Sequence, residues 1–286
     1  MKYRFLRYPE GRSKAVTFSY DDGCRHDLRL AKTLSKYGIK CTFNLSSGSI
    51  LKNKSDWNLT KEEILEYVIK AGHEIAVHGE WHKAPGLVSA IDGIQDVLNC
   101  RSGLEKAFDM IIRGMAYPDS GITNFINQAN YKNIKHYLKD LGIVYSRTLQ
   151  GDNNLFRLPD DWYAWMPTAH HTNPKVLEYA DEFIAIDINK QYCSKQYPRL
   201  FYLWGHSFEF ANNNNWELLD AICEKLSGKE DTWYATNIEI YDYVKAYDSL
   251  VFSADGSRIY NPTLITVWFD IDGTVYNIKS GETLVL

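Results

Sequence analysis

The chain has 286 residues, 45% hydrophobic and 24% charged, with a formal net charge of -4. That is the make-up of a globular protein of one or two domains. It lacks the basic excess expected of a partner for nucleic acid or an anionic membrane. No apolar run is long enough to span a bilayer, and residues 2–9 carry charges without an apolar core or a small-residue cleavage site. No secretory signal is therefore read, and a cytoplasmic location is expected unless the chain is a truncated precursor. Five scattered cysteines (Cys24, Cys41, Cys100, Cys193 and Cys223) without a CxxC pair predict free thiols, not a disulfide framework or a structural zinc knuckle.

In chain order, residues 15–20 are a short apolar run that ends at Asp21-Asp22-Gly23 and predicts a buried strand. Residues 26–37 place Leu28, Leu30, Ala31 and Leu34 at helical spacing, with Gly38 as the stop. Residues 41–45 are the next strand. Thr60-Lys61-Glu62-Glu63 is a capping-box pattern that opens a helix over 62–70. A third strand, 74–77, runs straight into His78. Helices are then predicted over 88–108, 123–141, 174–180, 216–226 and 237–247, and strands over 110–116, 143–146, 200–204 and 232–235. Strands alternating with helices predict an α/β fold with a mainly parallel sheet. Seven or eight such units suit a distorted, closed or nearly closed (β/α) barrel. From Ser249 the composition changes. Asp255-Gly256, Asp272-Gly273 and Ser280-Gly281 punctuate short β-rich runs such as 264–269 and predict a small antiparallel β appendage. The expected division is a barrel over 1–248 and an appendage over 249–286 that covers a barrel edge or contacts a partner.

Catalytic groups of a parallel α/β barrel gather at the C-terminal ends of its strands. The polar residues ending the predicted strands are Asp21-Asp22-Gly23, His78, Tyr117-Pro118 and His206. One Asp and two His form a zinc-compatible set, and a second Asp and a third His supply a base and an acid. An Asp-Asp pair alone arises about 1.5 times by chance at this composition, as Asp160-Asp161 illustrates. The weight lies on the conjunction: strand, Asp-Asp-Gly, strand, His78-x-x-x-His82, and a late strand ending in His206.

These segments resemble the motifs of a known family. Thr17-Phe18-Ser19-Tyr20-Asp21-Asp22-Gly23 is similar to the first motif of the polysaccharide deacetylases, carbohydrate esterase family four with its NodB-homology domain. The run from His73 to His82 is similar to the second, Ala116-Tyr117-Pro118-Asp119-Ser120-Gly121 to the third, and Leu203-Trp204-Gly205-His206 to the last. The resemblance implies a distorted (β/α) barrel and metal-assisted removal of N- or O-linked acetyl groups from a carbohydrate. It implies Asp22, His78 and His82 as ligands of one divalent ion, zinc by donor type, with Co, Ni, Mn or Fe also compatible. Asp21 would be the general base, His206 the general acid, and the Asp119 backbone amide an oxyanion donor beside Tyr117.

Two departures from the family pattern stand out. Its orienting Arg is replaced by Ala116, and Arg147 is the candidate substitute. Its Asp-Trp motif has no clean counterpart, Asp161-Trp162 being the nearest. Glu209 is a candidate for orienting His206. Trp204 and Trp81 flank the site residues, where core packing competes with stacking on a sugar. His171, or its neighbour His170, either reaches the pocket or serves as a hydrogen-bonded structural histidine. His73 is expected to be structural, and His26 and His136 to lie on helix surfaces. The expected partner is a carbohydrate or other small acetylated molecule, with no nucleic acid and no membrane; the sequence does not fix an oligomeric state. Two other functions compete: a related hydrolase of a small non-sugar amide, and a carbohydrate-binding protein with a residual metal site.

Overall fold

The protein is described by a computed structural model over residues 2–53, 55–149 and 155–286. β1 (Arg4–Arg7) lies apart from the main sheet, and β2 (Lys14–Asp21) follows, buried at all eight positions. Successive side chains on a strand point to opposite faces. Val16, Phe18 and Tyr20 join one apolar cluster with Leu30, Ala31 and Leu34 of α1 (Asp27–Lys36). Thr17, Ser19 and Asp21 instead find polar partners inside the barrel. Each large apolar side chain fully buried in this way stabilises the fold by about 1.5–3 kcal/mol.

β3 (Cys41–Leu45) comes next. α2 (Lys61–Glu63) opens with the expected capping box on Thr60 and continues as a π-helical turn over Ile64–Ile69. There follow β4 (Glu74–Val77), α3 (Ala90–Phe108), β5 (Gly114–Ala116), α4 (Tyr131–Asp140), β6 (Tyr145–Arg147), β7 (Ala169–His170), α5 (Val176–Ala185), β8 (Arg199–Gly205), α6 (Ser207–Asn212), α7 (Trp216–Leu226), β9 (Thr232–Tyr234) and α8 (Asn237–Asp248). The helix expected over 123–141 forms only from Tyr131. Asn130 caps it with its side chain on the Asn133 amide, and Asn127 and Gln128 just before it are left-handed. A capping side chain and two positive φ values end one conformation and start another.

Seven strands pair in the order β6-β5-β4-β3-β2-β8-β7, all parallel, and curl into a half-barrel; β9 lies against the lower half of β2. The segment before β7 reaches across to the other edge strand. Trp165 donates its amide to Ser146 and accepts from Thr148 at 3.0 and 2.9 Å. These bonds bring the two edges of the curl together, as the alternating sequence pattern led us to expect.

Five strands complete the fold: β10 (Val251–Phe252), β11 (Arg258–Tyr260), β12 (Val267–Ile271), β13 (Thr274–Ile278) and β14 (Thr283–Val285). They form two small antiparallel sheets, β10-β11-β14 and β1-β12-β13. The tail's second sheet thus takes β1 from the opposite end of the chain, in the register Leu6 to Phe269. It packs through Val267, Phe269, Ile271 and Ile278 onto Ala246 and Leu250 at the end of α8. No helix among the described residues is long and apolar enough to cross a membrane.

Candidate active site

The C-terminal ends of β2, β4 and β8 converge. Asp21 is the last inward residue of β2. At Asp22 and Gly23 the chain turns through consecutive positive φ values of 81° and 67°. An Asp tolerates this region better than most residues and Gly enters it freely; the turn carries the Asp22 carboxylate back over the strand end. His78 follows β4 and is buried, whereas His82 is more exposed and also left-handed, with φ 54°. Strained backbone at two of three candidate ligands is what a site fixed by its surroundings shows.

Asp22 Oδ1 lies 3.6 Å from His78 Nε2 and 3.4 Å from His82 Nε2. Ligands on a tetrahedral ion with bonds near 2.0–2.1 Å sit about 3.3 Å apart. Both Asp22 distances suit one zinc-sized ion, and the three ligand atoms all lie within 4.8 Å of one another. His78 Nδ1 faces the Ala116 carbonyl at 2.9 Å. If Nδ1 carries the proton and donates to that carbonyl, Nε2 is left with its lone pair toward Asp22 and His82. A metal-ligating histidine is commonly held in this way. Burial, opposed by the Asp21 and Asp22 charges, lowers the His78 pKa, so its neutral, ligating form is favoured.

Asp21 is fully buried beside this set. Asn44 Nδ2 donates to its Oδ1 at 2.8 Å, and the Arg147 guanidinium donates to Oδ2. His78 and His206 face the same Oδ2 at 3.8 and 4.0 Å. Burial would push this carboxyl up, but Arg147 first, then His78 and His206, together hold it down at about 2. Arg147 stands where the sequence pattern lacked an arginine: it is buried, bonded to Asp21, and covers the Trp204 ring at 4.3 Å.

His206 ends β8 and begins α6. Its Nδ1 is 3.5 Å from Glu209 Oε1, and its backbone amide donates to the same carboxylate at 3.3 Å. Burial disfavours the imidazolium, yet the Glu209 contact and the charges of Asp21, Asp22 and Glu209 raise its pKa.

Other candidates are placed differently. Tyr117 turns its ring into the core, where its hydroxyl donates to the Tyr163 carbonyl, and its amide donates to the Arg147 carbonyl. Asp119 is exposed, in a left-handed turn after Pro118. Trp204 is buried beneath Arg147, with its ring edge-on to His170. Trp81 is exposed beyond His82, and Asp161 is bound to Lys135 and Tyr131, away from the constellation. His171 is buried and stacks on Phe210 at 4.0 Å, packed so closely over Gly205 that no side chain fits there. His171 Nε2 and His170 Nε2 both lie 3.2 Å from Glu209 Oε2, and the His170 ring also meets Trp204. Sequence reading missed Asn44. Its signal was a polar residue at an alternating position of a strand otherwise buried.

The family model for polysaccharide deacetylases matches residues 5–143, a span that contains Asp21, Asp22, His78 and His82 and ends before His206. Comparison with curated proteins finds no match. Among solved structures, the chain is similar to a candidate polysaccharide deacetylase from Mycobacterium smegmatis, at 16% identity over 87% of this chain and 96% of that one, with a TM-score of 0.58. It is similar to PuuE allantoinase at 12% identity over 82% and 91% of the two chains, with a TM-score of 0.57. Against the Streptococcus pyogenes deacetylase PplD in complex with acetate, the identity is 19% over 46% of this chain, with a TM-score of 0.41, and the chain spans 54% of that protein. At these identities the likeness is one of fold.

Proposed function

We propose, from the premise that this chain belongs to the polysaccharide deacetylase family, that it is a metal-dependent hydrolase removing acetyl groups, N- or O-linked, from a carbohydrate. The observation that carries this reading is the approach of Asp22 to His78 and His82 at 3.6 and 3.4 Å, the three ligand atoms all within 4.8 Å of one another, with Asp21 and His206 alongside. Asp22, His78 and His82 would hold a divalent ion, zinc by the donor set, which would supply a Lewis acid for the acyl carbonyl and ease deprotonation of water.

The protein's own residues do the rest. Asp21 takes the proton of the attacking water, its carboxylate fixed by Asn44 and Arg147. The Asp119 amide is the proposed donor to the developing oxyanion. His206 faces the same space through Nε2 and gives its proton to the leaving nitrogen or oxygen as the carbon–heteroatom bond breaks. The products are acetate and a free amine or hydroxyl. Glu209 keeps the His206 ring in line through Nδ1.

The test is acetate release from acetylated oligosaccharides with zinc added. Asp21→Asn is expected to lower turnover by about 10²–10⁴-fold, the usual share of a positioned base, while metal content is unchanged. Undiminished turnover in that variant sinks the mechanism. The neighbouring fold of an allantoinase supports a second reading, hydrolysis of a small non-sugar amide; selective cleavage of such amides over acetylated sugars would establish it. A purely sugar-binding role has no use for Asp21 and His206.

A further inference from the structure

A second constellation lies next to the first. His170 closes β7, His206 follows β8, and Glu209 stands in the first turn of α6. His170 Nε2 and His171 Nε2 are each 3.2 Å from Glu209 Oε2, and His206 Nδ1 is 3.5 Å from Oε1. One ligand atom from each of His170, His206 and Glu209 falls within 4.8 Å of the others. The His170 ring is set by Thr172, whose hydroxyl and amide lie 2.7 and 3.2 Å from Nδ1, so Nε2 is the nitrogen turned to the cluster.

Three imidazoles share one carboxylate here, and they are not satisfied by it. Both ring nitrogens of His171, a side chain only 1% exposed, and Nδ1 of His206 have no hydrogen-bond partner among the described residues. Unpaired buried nitrogens of this kind call for an explanation such as an ion. Imidazoles around a carboxylate are a donor set for zinc, nickel, cobalt or copper, and not for magnesium or calcium.

We propose that His170, His206 and Glu209, with His171 behind them as a further donor, form a second cation site for a zinc-like ion, and that filling it shuts off hydrolysis. The inhibitory half rests on the reading of His206 as the acid. A cation on His206 Nδ1 displaces any proton there and occupies its lone pair. The hydrogen left on Nε2 then belongs to a coordinated imidazole and no longer to an imidazolium. Losing it would create an imidazolate, so His206 no longer serves as the donor to the leaving group. The first site needs zinc to work and the second is closed by more of it, which gives activity a maximum in zinc concentration.

The experiment is equilibrium dialysis of the full chain against zinc chloride, with metal analysis, alongside acetate release over the same zinc range. The wild type is expected to bind two ions, the weaker one tracking inhibition. Asp22→Asn is expected to retain an ion at the second site. His170→Ala is expected to lose only the weaker ion and to need at least about tenfold more zinc for half-inhibition, the scale on which even an outer partner of a metal site matters. Glu209→Gln, with folding checked by circular dichroism, provides an independent removal. A single ion bound by the wild type, or a second ion unaffected by either substitution, overturns the site. A second ion that leaves turnover untouched overturns the inhibition. Two ions on a chain that hydrolyses no acetylated substrate would support the second site while removing the deacetylase reading.

Discussion

Two buried carboxylates face the inside of the same barrel, Asp21 at the end where the strands finish and Glu74 at the start of β4, and the two ends treat them in opposite ways. Both bond to side chains of the same two strands, β3 and β6. β3 offers Thr42 to Glu74 and Asn44 to Asp21, two residues apart on one face. β6 offers Tyr145 to Glu74 and Arg147 to Asp21, again two apart. Glu74 also accepts from the Ile238 amide at 2.9 Å, beside 2.6 Å from Tyr145 and 2.8 Å from Thr42. Burial still raises it to about 7, whereas Asp21, against the same burial, is held at about 2. Three neutral donors do not offset the loss of water around a carboxylate, and one buried guanidinium with two imidazoles does. The tyrosine end makes a neutral knot that ties β3, β4, β6 and α8 together; the arginine end keeps an anion ready beside the candidate metal ligands.

The largest break in that symmetry is Arg147→Met. It leaves Asp21 buried without its cation, and removing one partner of a buried ion pair typically costs about 3–5 kcal/mol. Urea unfolding should register a loss of that size, and acetate release should fall by about 100-fold or more because the base is no longer held ionised and in place. A variant that unfolds within about 1 kcal/mol of wild type would mean that Asp21 and Arg147 do not depend on each other as described.

Glu74→Gln probes the other end and makes the site of Glu74 permanently neutral. The folded carboxyl titrates at about 7 against an ordinary 4.5. The stability it contributes is therefore full below pH 4.5 and is lost as pH rises toward 7, because the unfolded chain ionises first. Relative to Glu74→Gln, the wild type should lose about 3 kcal/mol across that window. Urea unfolding of both proteins at several pH values measures it. A difference that stays flat from pH 4.5 to 7 would put Glu74 in a far better solvated place.

How much of this was readable in the sequence follows from the range of the interactions. Asp22 and His78 directly follow strand ends and His82 lies four residues beyond His78, and the strand ends of a parallel barrel meet by topology, so the convergence of these residues was legible in local pattern. Arg147 was reachable only as a spare arginine on the right strand, since its bond to Asp21 spans 126 positions in the chain. His170 and His171 both reach Glu209 on α6, a contact between separate segments that no local periodicity reveals. The pairing of β1 with β12 joins residues more than 250 positions apart, such as Leu6 and Phe269, and four charged and apolar residues at the start of a chain carry no signal of it. Glu74 read only as the first residue of a strand, because a carboxyl buried by three donors from β3, β6 and α8 leaves no local trace.

The smallest change sharpens the comparison most. Tyr145→Phe keeps the ring against Trp165, at 5.4 Å and edge-on, and removes only the hydroxyl that donates to Glu74 Oε1. Gly114 is the residue that leaves room for this hydroxyl beside Glu74, so the phenylalanine introduces no clash. The expected loss is about 1 kcal/mol, the net worth of one hydrogen bond, with the pH window of Glu74 extended upward because a donor to its charged form is gone. Acetate release should stay at the wild-type level, since Arg147 and Asn44 hold Asp21 without help from the lower end. A fall of about tenfold or more (about 1.4 kcal/mol in the barrier) would show that the polar side chains of β3 and β6 act as one unit from Glu74 to Asp21, and the two carboxylates could then no longer be treated as independent.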